Sequence, residues 1–150
     1  MVTKPLCSSV NMKSMRYNPL PDTFYQNNRK AFSESLKPKS LAVFNSNDIY
    51  PISADSTLPF AQHRDIFYLT GVDQEETILV LFPDAIEKNQ RELLFIKETN
   101  AHIAIWEGAK LTKKEATKRS GIRTVCWLSE FERIFQELST QCECFYFNKN

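Results

Sequence analysis

The sequence predicts a single α/β domain in which helices flank a mixed β-sheet in a three-layer arrangement. Three observations predict this class: apolar runs typical of buried strands, helical segments with capping signals between them, and no internal repeat or linker. The chain has 150 residues and is 42% hydrophobic. A domain of this size buries roughly 70% of its extended-chain surface, so we expect a sizeable core.

The stretch from Pro59 to Asp84 has the strongest local signals. Its first half is an aromatic-rich helical turn that ends at Gly71, a residue that adopts a left-handed C-terminal conformation without a Cβ clash. The second half, Thr77 to Phe82, is a nearly continuous apolar run followed by Pro83. Such a run predicts a strand that is buried on both faces.

The first helix is predicted from Pro21 to about Leu36, before Pro38. Arg29 and Lys30 are expected on its solvent side. Its apolar stripe is predicted to consist of Phe24, Ala31, Phe32 and Leu36.

The remaining elements follow the same helix and strand patterns. Thr112 and Glu115 form the pattern of a capping box before the second helix, which we expect to end at Gly121. Ser129 is expected to cap the third helix. The predicted segments are strands over Ser40–Asn45, Arg91–Lys97, Thr124–Leu128 and Glu143–Phe147, helices over Leu111–Ser120 and Ser129–Leu138, and a long loop over Ser46–Leu58.

Charge and cysteine usage exclude several classes of protein. Nineteen basic and eighteen acidic residues leave a net charge of +1, so neither nucleic acid nor an anionic membrane is expected as a partner. No apolar run approaches the ~20 residues of a membrane span. The four cysteines, Cys7, Cys126, Cys142 and Cys144, form no Cys-x-x-Cys pair. Together with the lack of a secretory leader, they predict reduced thiols in a cytoplasmic protein.

Motifs for catalysis or metal binding are not found. The two histidines, His63 and His102, lack metal-ligand spacing, no Gly-x-Ser-x-Gly occurs, and three glycines exclude a Gly-rich phosphate loop. The acidic cluster Asp73, Glu75 and Glu76 is expected to be a solvated turn rather than a cation or acid/base site. We therefore predict no catalytic residue and no metal ligand in this chain.

Trp106 is the one candidate for a functional side chain. It lies between Ile105 and Glu107-Gly108, at the end of an apolar segment and close to a glycine, a residue type typical of turns. The pattern fits equally a core tryptophan and a tryptophan at a rim, where this residue type often anchors a partner or substrate.

Three segments together resemble the N-terminal domain of the Xaa-Pro aminopeptidases, also called aminopeptidase P, which are related to prolidase and creatinase. They are Pro59–Gly71 with its Asp-x-Phe-Tyr-Leu-Thr-Gly order, Leu93–Ile96, and Ile105–Leu111 with its Trp-x-Gly order. The chain departs from the usual pattern at two places. Ala61 replaces a basic residue before Gln62, and Arg64 replaces a small polar residue before Asp65.

The resemblance implies a fold with a ribonuclease H-like motif and a domain over residues 16–150, preceded by a flexible tail over residues 1–15. Met1, Met12 and Met15 are alternative starts. In the family, catalysis belongs to a C-terminal "pita-bread" domain that is absent from this chain and that holds two divalent metals, commonly manganese. A metal-bound hydroxide there attacks the peptide bond before a proline.

The resemblance also implies roles for the N-terminal domain. It would help to assemble a dimer or tetramer and would restrict the active site to short proline-containing peptides. Trp106 matches a family tryptophan that reaches toward the active site of a neighbouring subunit. Two alternatives stay open: a stand-alone protein-interaction module without catalysis, and the same domain of a prolidase or creatinase relative.

Overall fold

A computed structural model describes residues 20–53, 56–100 and 110–149 of the chain. In these ranges the helices are α1 (Asp22–Ser35), α2 (Arg64–Thr70), α3 (Lys113–Ser120) and α4 (Phe131–Ser139), with 3-10 turns at Lys88–Gln90 and Leu128–Glu130. The strands are β1 (Ser40–Asn45), β2 (Pro51–Ser53), β3 (Ser56–Thr57), β4 (Ile78–Leu81), β5 (Glu92–Ile96), β6 (Thr124–Trp127) and β7 (Cys144–Phe147).

Five strands form the main sheet in the order β6-β5-β4-β1-β7. The central strand β4 is antiparallel to both of its neighbours, β1 and β5. The two outer pairs are parallel, with Ser40 opposite Cys144 between β1 and β7 and Leu93 opposite Thr124 between β5 and β6. The mixed sheet that the sequence predicted is therefore confirmed.

Two apolar clusters, one on each face of the sheet, make up the core. The strands alternate between them because successive side chains point to opposite faces. Leu79 and Leu94 belong to the first cluster, with Ile66 of α2 and Ala116 of α3. The second cluster contains Val80, Leu93 and Phe95, with Ile134 and Leu138 of α4. Helices thus cover both faces, as the three-layer prediction requires.

Glycines end two of the helices. Gly71 follows α2 with φ +67°, and Gly121 follows α3 with φ +72°. Both are in the left-handed region, where residues with a Cβ are strained. At the other end of α3, the Thr112 side chain accepts from the Glu115 N–H, and the Glu115 side chain accepts from the Thr112 N–H. The predicted capping box and both predicted stops are confirmed.

The buried face of α1 differs from the predicted stripe. Tyr25 and Arg29 are buried, whereas Phe24 is exposed and Phe32 is only partly buried. The prediction that Arg29 lies on the solvent side is wrong, because its guanidinium finds acceptors at the ends of two other helices. A buried charged side chain is compatible with folding when its donors find such partners.

Two further predictions are corrected. The Ser46–Leu58 loop contains the short antiparallel pair β2 and β3. Ser129 lies inside the 3-10 turn and does not cap α4, which begins after Glu130. The Glu130 carboxylate instead accepts from the Trp127 N–H at 2.9 Å. No helix within the described ranges is long and apolar enough to cross a bilayer.

Candidate functional site

The turn between α2 and β4, residues 73–76, makes a hydrogen bond and ion pairs to residues distant in the sequence. Glu76 has φ +52°, an uncommon value for a residue with a Cβ. Gln74 is buried, and its Oε1 accepts from the Leu111 N–H at 2.7 Å. This hydrogen bond joins the 73–76 turn to Leu111, which lies just before the N-cap residue of α3.

Two carboxylates of this turn form ion pairs. Glu75 contacts Lys110, and their side chains are only 13% and 15% exposed. Glu76 contacts Lys97 at 2.7 Å. The expectation of a solvated turn is therefore wrong for Glu75, because Lys110 covers and neutralises it. An ion pair this sheltered from water is screened less than a surface pair.

Gln62 holds the other side of the same turn. Its Nε2 donates to the carbonyl oxygens of Val72 and Gln74 at 3.2 and 2.8 Å, and its Oε1 accepts from the His63 N–H. Gln62 therefore bridges the start of α2 and the residues that follow its end. Two donors and one acceptor of a single amide fix this loop, which explains why a glutamine suits the position.

Ala61 and Arg64, the two positions at which the chain departs from the usual family pattern, lie at the start of α2 beside His63. His63 precedes α2, and its Nδ1 accepts from the Asp65 N–H at 3.3 Å. The Ala61 carbonyl accepts from Asn47 Nδ2 at 2.9 Å. Arg64 is exposed at the first position of α2. His63 thus acts as an N-terminal cap, a structural role that is common for a polar side chain at this place.

Trp106 and His102 lie in residues 101–109, outside the described ranges. The described residues that flank this segment, Lys97 before it and Lys110 and Leu111 after it, contact the 73–76 turn. The flanks of the segment that carries Trp106 are therefore held at one place in the fold. Sequence reasoning missed this arrangement, since neither the Gln74–Leu111 hydrogen bond nor the Glu75–Lys110 ion pair has a local sequence signal.

Arg29 is a fully buried charged side chain outside this turn. It is 0% exposed, and its Nη1 donates to the carbonyls of Leu69 and Ser120 at 2.8 and 2.9 Å. Leu69 is in the last turn of α2 and Ser120 is the last residue of α3. Carbonyls at helix C-terminal ends lack intrahelical partners. Arg29 therefore satisfies two of them and ties three helices together.

The half-buried thiols are poor candidates for nucleophiles. Burial is the main cause that raises the pKa of Cys126 and of Cys142 above the ordinary thiol value. A raised pKa keeps the sulfur protonated at neutral pH, and the thiolate is the reactive form. No group of three His, Cys, Asp or Glu side chains able to hold a metal occurs in residues 20–53, 56–100 and 110–149.

Comparison with known proteins gives the family. The model of the family "Aminopeptidase P, N-terminal domain" matches residues 25–146. This chain belongs to that family. The resemblance that the sequence motifs indicated is confirmed.

Relatives of this aminopeptidase P N-terminal domain are longer proteins. The Xaa-Pro aminopeptidase of Escherichia coli is 27% identical over 81% of this chain, which spans 27% of that protein. Xaa-Pro aminopeptidase 3 of Homo sapiens is 23% identical over 80% of this chain, which spans 24% of it. The chain therefore covers about a quarter of the length of these curated relatives.

Solved structures show the same fold. A putative aminopeptidase P from Bacillus anthracis superposes with a TM-score of 0.77 at 26% identity, over 87% of this chain and 31% of that one. Aminopeptidase P from E. coli with the inhibitor Pro-Leu gives a TM-score of 0.76 at 24% identity, over 89% of this chain and 30% of that one. The three-layer α/β architecture is thus that of the N-terminal region of these proteins.

Proposed function

We propose that this chain is the N-terminal, non-catalytic domain of a cytoplasmic Xaa-Pro aminopeptidase, an enzyme that releases the first residue of peptides with proline second. The observation that carries the proposal is the family match over residues 25–146. It is supported by a relative named Xaa-Pro aminopeptidase and by the Pro-Leu inhibitor bound to the E. coli enzyme. Residues 1–15 are proposed to be a tail, and residues 16–150 the domain.

The chemistry is assigned to a separate catalytic domain. We place two divalent metals, commonly manganese in this family, in that C-terminal domain rather than in this chain. Its metals would generate the hydroxide nucleophile and polarise the peptide carbonyl. The division of labour is supported by the 73–76 turn, where two of the three carboxylates, Glu75 and Glu76, are paired with Lys110 and Lys97.

The proposed role of this domain is to assemble a homodimer or homotetramer and to restrict access to the active site. Trp106 is the proposed contact with the neighbouring subunit's active site. The flanks of its segment are held by contacts to Gln74, Glu75 and Glu76. A tryptophan side chain offers a large apolar contact surface to a short peptide.

The test is to read the coding frame beyond Asn150 and to assay the full protein. A continuation that supplies five metal-ligand positions, with metal-dependent release of the first residue from a Xaa-Pro peptide, is the expected result. The control is a peptide with alanine in place of the second-position proline. A full-length protein that leaves the Xaa-Pro peptide intact with manganese present would overturn the proposal, and a protein-interaction module would replace it.

A further inference from the structure

A basic depression lies between α3 and the outermost strand β6. It has a volume of about 310 Å³, and its lining residues are Lys113, Lys114, Thr117, Lys118, Arg123 and Val125. Four of the six are cations and none is acidic. Lys114, Lys118 and Arg123 are exposed, so their charges face solvent beside the strand edge.

A second and larger depression adjoins the first through Arg123, which lines both. Its volume is about 690 Å³, and it is bounded by α1, by the turn before β5 and by the start of β6. Its cations are Lys30, Lys88, Arg91 and the shared Arg123, and its one carboxylate is Glu92. Amide and hydroxyl side chains, including Asn89 and Thr124, complete the lining. We refer to the two depressions together as the basic groove.

The groove concentrates positive charge in a nearly neutral protein. Seven of its lining residues are cations and one is a carboxylate, whereas the whole chain has a net charge of only +1. Such a local excess attracts anionic ligands even when the net charge is small. Glu92 offsets little of this field, since it lies 3.1 Å from the buried Arg29 guanidinium.

Within the described ranges, carboxylates at the rim form ion pairs with two of these cations. Lys113 lies 3.5 Å from Glu130, and Lys30 lies 4.0 Å from Glu34 in a pair that is more than two-thirds exposed. Exposed pairs of this kind are worth little and are readily exchanged for a better partner. The positive field at Arg123, where the two depressions meet, is therefore available to a ligand.

Strand β6 adds a second feature to the same place. Within the described ranges it is an edge strand that pairs with β5 alone in the main sheet. The outer edge of such a strand presents backbone N–H and C=O groups that can pair with an added extended chain. The depression between α3 and β6 borders this edge, with Arg123 just before the strand and Val125 within it. Backbone pairing and charge recognition are thus available to one ligand.

The chemistry of the lining selects among anionic ligands. Single-stranded nucleic acids are usually held by aromatic side chains on which bases stack. Among the described residues no aromatic side chain lines either depression, and the nearby Trp127 ring is occupied by the Lys113 ammonium, 4.6 Å from its centroid. An extended peptide with acidic side chains needs only an open strand edge and nearby cations. Lysines beside an edge strand can also serve merely to prevent aggregation, and that simpler role predicts no ligand.

We propose that the β6 edge and the basic groove bind an extended acidic segment of a partner protein. The segment would pair with the outer backbone of β6 and place its carboxylates near Arg123, Lys118 and Lys88. This binding function is separate from the peptidase role, since it requires neither Trp106 nor a catalytic domain.

The test uses the full 150-residue chain and a fluorescein-labelled peptide of about eight residues that alternates Glu and Val, long enough for one strand. Fluorescence anisotropy should show saturable binding at about 50 mM salt that weakens at least about fivefold at about 300 mM salt, because added ions screen exposed charges. A Lys/Val peptide should not bind. Absence of saturable binding by the Glu/Val peptide at the lower salt would overturn the proposal.

Matched variants locate the site. Arg123→Glu should weaken binding about tenfold, whereas Arg133→Glu, the same charge change at an exposed position of α4, should leave it within about twofold. Lys118→Glu provides an independent variant should Arg123→Glu fail to fold. An equal effect of Arg133→Glu would mean non-specific attraction and would overturn the site.

Backbone pairing has its own test. A Glu/Val peptide N-methylated at alternate residues keeps its charge but loses the N–H groups of one edge. It should bind at least about tenfold more weakly in at least one of the two methylation registers. Unchanged binding in both registers would overturn the β6 assignment, and tighter binding of an oligothymidine of equal charge would overturn the peptide assignment.

Discussion

The buried Arg29 guanidinium lies 3.1 Å from the Glu92 carboxylate, although it makes its hydrogen bonds to two main-chain carbonyls instead. Nε and Nη2 of Arg29 have no hydrogen-bond partner within the described part of the chain, so the contact with Glu92 is an ion pair without directed hydrogen bonding. Arg29 thus links α1 to the C-terminal ends of α2 and α3 and to the first residue of β5.

Replacing Arg29 with methionine should lower the free energy of unfolding by about 2–4 kcal/mol. Methionine keeps much of the volume but leaves the Leu69 and Ser120 carbonyls without their donor, and an unsatisfied buried acceptor costs roughly 1–3 kcal/mol. Urea denaturation of the purified chain measures the change. Glu92→Gln is the matched control and should cost less than Arg29→Met, because it leaves both carbonyl hydrogen bonds of Arg29 in place. If Arg29→Met proved no less stable than the parent chain, the carbonyl-bridging role would be wrong.

The two helix-ending glycines should differ in their tolerance of alanine. A Cβ at Gly71 would lie 2.3 Å from the ring of Tyr25, and Tyr25 is buried in the core. A Cβ at Gly121 would meet the end of the Gln26 side chain, which is exposed and can move. Both changes incur about 1–2 kcal/mol for the left-handed backbone.

We therefore expect Gly71→Ala to destabilise the chain by about 3–4 kcal/mol, because the buried ring must also shift. Gly121→Ala should cost only about 1–2 kcal/mol. Thermal and urea unfolding of the two variants in parallel give the comparison, with each serving as the control for the other. An equal loss of unfolding free energy in the two variants would show that the Tyr25 ring moves aside as easily as the Gln26 side chain.

The capping box of α3 should make part of the stability depend on pH. The Thr112 N–H, and then the Thr112 hydroxyl, donate to the Glu115 carboxylate and lower its pKa below the ordinary value of 4.5. A carboxyl whose pKa is lower in the folded state stabilises the fold above its unfolded-state pKa. That contribution is lost as the pH falls through the folded-state pKa.

Glu115→Ala should therefore cost about 0.5–1 kcal/mol near neutral pH, and the difference from the parent chain should narrow near about pH 3. Urea denaturation at the two pH values measures it. A double variant with Thr112→Ala supplies the control: its cost should be smaller than the sum of the two single costs, since both remove one reciprocal contact. A cost of Glu115→Ala that does not change with pH would contradict the charge-based explanation.

Trp106→Ala should change the unfolding free energy of this chain by less than about 1 kcal/mol if the tryptophan is at a rim. In the full peptidase it should lower kcat/KM for a Xaa-Pro peptide about tenfold or more, with partial recovery in Trp106→Phe. Tyr50→Ala, at a 70% exposed aromatic, is the control and should alter neither property. Unfolding of the chain by Trp106→Ala would assign the residue to the core and remove its substrate role.

The features of this fold that the sequence predicted correctly depend on residues close together in the sequence. Gly71 and Gly121 end helices because glycine adopts the left-handed backbone without strain. The run before Pro83 forms a buried strand because its nearly continuous apolar residues leave neither face suited to solvent. The position of Arg29 was predicted wrongly because its burial depends on residues distant in the sequence. Helical periodicity assigns a charged residue to the solvent side, whereas its acceptors come from Leu69 and Ser120, 40 and 91 residues away.

The candidate site was predictable only in part, for the same physical reason. The ion pair between Glu75 and Lys110 joins residues 35 positions apart, so no local sequence pattern predicts it. The basic groove draws Lys30, Lys88 and Arg123 from three separate elements, while the balanced composition conceals the local excess of charge. Net charge therefore underestimates what the folded surface can attract.

The parallel pairing of β1 with β7 places Ser40 beside Cys144. The first strand of the main sheet along the chain therefore gains its second neighbour only from the last strand. During synthesis, β1 can gain β4 as a neighbour long before β7 leaves the ribosome. One edge of the nascent sheet must therefore stay open until nearly the whole domain has been translated. Pairing across such a long separation is intrinsically slow, and an exposed strand edge invites association with other nascent chains.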